Sequence, residues 1–160
     1  MNFKQTQAFI NNTSTDIMDN TIFSKKNMDY PFHKIIHAVA EFHDAFGIEN
    51  FNKPNANLSP EQVQLRFDLM REENEEYLEA ALKQDIVEIA DALGDQLYIL
   101  CGTLLRHGLQ DKIVAVFEEI QRSNMSKLGA DGKPIYREDG KVLKGENYFR
   151  PDIQGVLEKP

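Results

Sequence analysis

The chain has 160 residues, with 26 Asp and Glu against 18 Lys and Arg, for a formal net charge of -8 at pH 7. That length suits one domain with a core of its own, and the acidic balance disfavours nucleic acid or an anionic membrane as partner. No run reaches about 18 consecutive apolar residues, which excludes a membrane span. The N-terminus lacks a signal-peptide apolar core, so the expected compartment is the cytoplasm. Cys101 is the single cysteine, which excludes an intrachain disulfide and a cysteine-based zinc site. Among Leu97, Leu100 and Leu104 it reads as a small buried apolar residue.

Residues 1–29 are polar and weakly periodic. They read as a flexible arm, with a short helix around 5–10 that could pack on a partner subunit. Residues 30–160 read as one domain. Phe32, Ile35, Ile36, Val39, Phe42 and Phe46 recur at helical spacing, predicting a helix over 31–46 with Gly47 as its C-cap. The stretch 48–58 reads as a loop. A second helix starts with Ser59 as N-cap, Pro60 at the first position and Gln62 completing a capping box, and runs to about 82. A third spans 85 to about 107 and is apolar or small on most of its circumference, the mark of a central helix. A fourth, over 111–127, carries Ile113, Phe117 and Ile120 on one stripe. Beyond it, residues 134–144 with Asp139-Gly140 read as a small β-hairpin with a tight turn. The fold class is therefore all-α: a four-helix core with a small C-terminal hairpin.

Acids sit on two of these helices where apolar residues would be expected. At about 100° per residue, Leu65, Leu69, Met70, Tyr77 and Ala80 share one arc of the second helix. Glu73 and Glu76 fall inside that arc, Glu72 at its edge, and Glu75 and Glu79 point elsewhere. Burying unpaired carboxylates is expensive; inward acids with few basic partners point to a hard divalent metal. On the third helix Glu88, Asp91 and Asp95 line one face, although Asp85 with Glu88 also makes a capping box. A short link pairs the two helices antiparallel, so the acidic faces can converge. Carboxylates with few histidines suit Mg²⁺ or Mn²⁺ over Zn²⁺. A diiron bundle would use Glu-x-x-His, which the chain lacks. His33 and His37 could form an i, i+4 metal clip, while His43 and His107 read as surface or helix-end residues. Asn124 continues the fourth helix's stripe and Lys127 follows a turn later; an amide and an ammonium there could bind a nucleotide. Lys141 and Lys144 add positive charge in the hairpin.

Together these residues resemble the all-α nucleoside triphosphate pyrophosphohydrolases, the superfamily of MazG, dimeric dUTPases and phosphoribosyl-ATP pyrophosphohydrolase. The family pattern is Glu-Glu-x-x-Glu on one helix and Glu-x-x-Asp on the next. Glu72-Glu73-Asn74-Glu75-Glu76 matches the first half, and Gly94-Asp95-Gln96-Leu97-Tyr98 looks like the family's Asp and the apolar turn after it. The slot three residues before Asp95, normally Glu, is Ala92. Either Asp91 replaces the missing Glu, or the pair is Glu88 and Asp91. Arg122-Ser123-Asn124-Met125-Ser126-Lys127 and the tail through Arg150-Pro151-Asp152-Ile153 are similar to the MazG-like branch with dUTPase-like members, and the resemblance covers roughly 31–155. It implies Mg²⁺-dependent hydrolysis of a (deoxy)nucleoside triphosphate, dUTP-type among the candidates, to the monophosphate and pyrophosphate. Glu73 or Glu72 would accept the water's proton. Glu73, Glu76, Asp91 and Asp95 would hold metal, and Asn124, Lys127 and Lys144 would bind substrate in a homodimer or dimer of dimers. The alternatives are a phosphoribosyl-ATP pyrophosphohydrolase and a non-catalytic nucleotide- or metal-sensing dimer.

Overall fold

The computed structural model describes residues 31–159; the arm expected over 1–29 lies outside the described residues. The described chain is mostly helical, with α1 Pro31–Ala45, α2 Pro60–Lys83, α3 Ile86–Arg106, α4 Ile113–Met125 and a short α5 Ile153–Glu158. No helix among these residues is long and apolar enough to cross a membrane.

The core forms between α1 and α3. Ile36, Val39 and Ala40 pack with Cys101, Leu104 and Leu105, and Phe32, Leu97, Leu109 and Ile113 close around them. The face of α1 differs from the one the apolar count predicts. Ile35, Phe42 and Phe46 are exposed, whereas His33 and His43 are buried. His43 tolerates this because its Nδ1 lies 2.6 Å from Asn50 Oδ1, beyond the helix end. Gly47 ends α1 with a positive φ of 68°, the left-handed turn that glycine adopts without cost.

The Ser59–Gln62 capping box forms as expected. Two residues then join α2 to α3. Gln84 takes a left-handed φ of 58°, and Asp85 caps α3 by accepting from the main-chain N–H groups of Val87 and Glu88. This tight link folds α3 back along α2 as an antiparallel pair.

The far end of α3 anchors the 46–58 loop. Phe51 N–H donates to Leu105 O at 3.0 Å, Gln110 Nε2 to Phe51 O at 2.9 Å, and His107 Nδ1 lies 2.8 Å from Asn55 O. Buried Arg106 reaches the main-chain oxygen and carboxylate of Glu49. Gly108 is obligatory here, since a Cβ would fall 2.0 Å from Lys53 O.

The fourth helix is shorter than the 111–127 expected, and its stripe is open: Phe117, Ile120 and Asn124 are exposed. It packs chiefly on α5. The segment between them is strapped to α4 by Ser123 Oγ donating to Phe149 O at 2.9 Å and by Asp152 N–H donating to Glu119 Oε1 at 2.7 Å. In place of a laddered hairpin, 134–144 makes one antiparallel bridge, Tyr136 to Val142. Arg137 N–H donates to Lys141 O at 2.8 Å around a three-residue loop with Gly140 at φ 81°. The expected two-residue Asp-Gly turn is thus replaced by the longer turn that a left-handed glycine closes.

Candidate active site

Glu73 is the focus of the α2–α3 pair. It is half-buried, and its Oε2 is buried with no hydrogen-bond partner. Its carboxyl is held above the ordinary range, first by burial and then by the negative charges of Asp95, Glu76, Glu72 and Asp91. Those four neighbours are the carboxylates that the helical period and the family pattern pick out. An unpaired carboxylate oxygen removed from water is costly, and here four like charges add to that cost.

The acids differ in placement. Glu72, Glu76, Asp91 and Asp95 are exposed, so Glu76 does not share the burial its place in the apolar arc predicts. Glu76, Asp91 and Glu88 line a cleft of about 300 Å³ with Glu79, Ala80 and Lys83. Glu75 is exposed beside Arg71 at 3.7 Å, and Glu79, although it lines that cleft, is exposed and bonded to Lys83 at 2.6 Å. Glu88 sits nearer Lys83, whose ammonium its charge helps to hold above the ordinary range after that of Glu79. Ala92 is buried, so a longer side chain in that slot has no room without movement. The charges that act on Glu73 include Asp91 and Asp95.

Among the described residues, no three His, Cys, Asp or Glu side chains are gathered closely enough to hold a metal ion. The acids occupy neighbouring turns of two facing helices. The donor set itself, all carboxylate around one orphaned oxygen, fits a hard divalent cation such as Mg²⁺ or Mn²⁺. Such a cation would compensate the charge that holds Glu73 above its usual range. The histidine clip does not form: His33 is buried, and His37 lies on the surface side with Nδ1 3.3 Å from Glu41.

Among the described residues, the nucleotide-binding candidates make their contacts within their own segments. Lys127 Nζ donates to Asn124 Oδ1 at 2.7 Å on exposed α4, and Lys144 lies 4.3 Å from the Tyr148 ring centroid.

Sequence reading missed two residues that tie α2 to α3. Arg66 donates to Thr103 Oγ1 at 3.0 Å and Ile99 O at 2.9 Å. Gln96 Nε2 donates to Glu73 O at 3.2 Å. Arg66 stood in the sequence as a lone cation on an otherwise apolar and acidic face, which is the one signal that could have found it. Beside it, Gly102 admits His43 and Arg66: a Cβ there would meet His43 Nε2 at 3.0 Å and an Arg66 nitrogen at 3.1 Å. Burial, together with the charges of Arg66 and Arg106 and against the Asn50 bond, lowers the His43 pKa.

Fold and acids together define an all-α protein whose central helix pair presents coupled carboxylates. The chain belongs to the phosphoribosyl-ATP pyrophosphohydrolase family, whose model matches residues 39–124, a span that includes every one of these acids. That places it in the MazG-like superfamily of all-α NTP pyrophosphohydrolases. It is 38% identical over 113 residues to an uncharacterised protein of Acanthamoeba polyphaga mimivirus, a match covering 67% of this chain and 45% of that one. The chain thus spans a little under half the length of this relative. A crystal structure from Exiguobacterium sp. 255-15, provisionally described as an NTP pyrophosphohydrolase, aligns over 80% of this chain and 94% of its own with a TM-score of 0.41 and 24% identity.

Proposed function

We propose that the protein is a nucleotide pyrophosphohydrolase, a hydrolase of phosphoric anhydrides, that cleaves a nucleoside triphosphate to the monophosphate and pyrophosphate with Mg²⁺, or Mn²⁺ in its place. The observation that carries this reading is the orphaned, partly buried carboxylate of Glu73 ringed by Asp95, Glu76, Glu72 and Asp91. Family membership supports the reaction class.

Glu73, Glu76, Asp91 and Asp95 would hold the cation. When bound, it supplies charge neutralisation for the phosphates and makes water a stronger acid. Glu73, or Glu72 beside it, accepts the water's proton. The buried Oε2 of Glu73 has no hydrogen-bond partner, which leaves a lone pair open to accept that proton. Pyrophosphate is then the leaving group.

Asn124, Lys127 and Lys144 complete the reading only if a second copy supplies them. The single chain leaves Leu78 and Leu82 of α2 and Leu93 and Leu100 of α3 exposed, more apolar surface than a monomer leaves open without reason. A homodimer or dimer of dimers would cover it and repeat the acidic site by symmetry.

A pyrophosphate-release assay with and without Mg²⁺ tests the function. The panel holds the common nucleoside triphosphates, dUTP and phosphoribosyl-ATP. Mg²⁺-dependent release from at least one is the expected result, and that substrate decides between the dUTP-type and phosphoribosyl-ATP readings. Nucleotide binding without release would instead favour the sensing dimer, the reading that buried Ala92 in the usual Glu slot supports.

A further inference from the structure

We propose that Gln96 is a positioning residue for the acidic site: its amide fixes the spacing of α2 and α3 at the level of Glu73 and Asp95, and so sets the affinity for a hard divalent cation. The inference rests on the metal-site reading above and assigns the control of that site to a residue outside the carboxylates.

Among the described residues, the hydrogen bonds that join α2 to α3 beyond their link come from two side chains, Arg66 and Gln96. They act at different levels. Arg66 lies seven residues before Glu73, about 10 Å along the helix at 1.5 Å per residue. Gln96 acts at the acids themselves. It follows Asp95 directly in sequence, and its Nε2 donates to the main-chain oxygen of Glu73 at 3.2 Å. A helical carbonyl has a second lone pair beyond the one its own ladder uses, so the bond adds to the helix without breaking it.

The surroundings of Gln96 argue against a packing role. It lines a cleft of about 710 Å³ whose walls are mainly apolar, Phe67, Met70, Leu93, Leu97 and Leu100, with Arg71 and Asn74 among them. In such company an apolar side chain would pack as well, and the amide is the costlier choice unless its bond is used. The use is apparent from the charges. Glu73 feels the charges of Glu72 and Glu76 on its own helix and of Asp91 and Asp95 on α3, and like charges on two paired helices repel where ligands must converge. The Gln96 bond joins the helices at Glu73 and holds the backbone of the most buried of these acids.

Mn²⁺ binding to the full chain, followed by calorimetry with the metal alone, tests the proposal on wild type, Gln96→Met, Gln96→Asn and Arg66→Met. Met keeps the length and loses the donor; Asn keeps the amide and loses the reach. Both Gln96 variants should bind Mn²⁺ about tenfold more weakly, the lower end of losses seen for residues that orient metal ligands. Arg66→Met should bind as wild type does. Far-UV dichroism reports folding, and if Gln96→Met unfolds, Gln96→Asn decides. A wild type that binds no Mn²⁺ overturns the metal-site reading and this proposal with it. A wild type that binds, with Gln96 variants that bind equally well, overturns the role of Gln96 alone. Equal weakening by Arg66→Met also overturns it, because the effect would then be general loosening of the helix pair.

Discussion

The two sides of α3 are finished differently. Toward α1 the chain closes its own interior: Ile36, Cys101 and Leu105 have no exposed surface at all. Toward α2 the contact is long but open. Only small Ala80 and Ala92 are buried there, while Leu78 and Leu82 keep 57% and 76% of their surface in water. The cluster of acids lies on the open side. A sealed, apolar interface fixes the position of α3, and the looser one can hold like charges that a closed core would exclude.

Substitutions on the two sides should separate in the same way. Leu105→Ala, on the closed side, should cost the most, about 2–5 kcal/mol, since it leaves a cavity that rigid neighbours cannot fill. Chemical denaturation measures it. Gly102→Ala comes next. The added methyl meets His43 and Arg66 at 3.0 and 3.1 Å, and the strain should outweigh the better helix propensity of alanine, for a net cost of about 1–2 kcal/mol. Leu82→Lys, on the open side, should alter the stability of a single folded chain by under about 0.5 kcal/mol yet shift the protein toward monomer in sedimentation. A wild type that already sediments as a monomer would remove the case for a covered α2 face.

The smallest effect is confined to the C-terminal strap. Arg122 and the Asp152 N–H lower the Glu119 pKa to about 2. A depressed carboxyl stabilises the fold fully above its ordinary pKa near 4.5, and that contribution fades as the pH falls toward about 2. The Asp152 amide resonance should therefore titrate with a midpoint near 2, and Glu119→Gln should abolish the transition while leaving the α1–α3 core intact.

What the sequence disclosed divides along the same line. The Ser59 cap, the antiparallel α2–α3 pair and the special place of Glu73 depend on neighbours within a few turns, so helical period and cap chemistry reveal them. On α1, counting apolar residues favours Ile35 and Phe42 over His43, but the structure buries His43, whose burial depends on Asn50 in the next loop. The apolar arc places Glu76 inside, yet it lies at a cleft wall, since no described element covers its side of α2. Arg66 and Gln96 act across 33 and 23 residues of sequence respectively, and no local pattern announces such ties. Asn124 and Lys127 continue an apolar stripe that nothing in the described chain covers, so their role waits on the assembly.

The account turns on Glu73, and one paired experiment tests it most directly: Mg²⁺-dependent pyrophosphate release by Glu73→Gln beside Glu79→Gln, with a thermal melt of each. Because Glu73 is held above its ordinary pKa, its charged form opposes folding once the pH exceeds the unfolded value, and the penalty is complete above the folded one. Glu73→Gln should therefore melt at or above wild type at neutral pH while losing turnover by about 10²–10⁴-fold. Glu79→Gln, whose carboxylate on the cleft wall is already engaged by Lys83, should keep wild-type turnover. Undiminished release by Glu73→Gln, or an equal loss from Glu79→Gln, would contradict the assignment of the site.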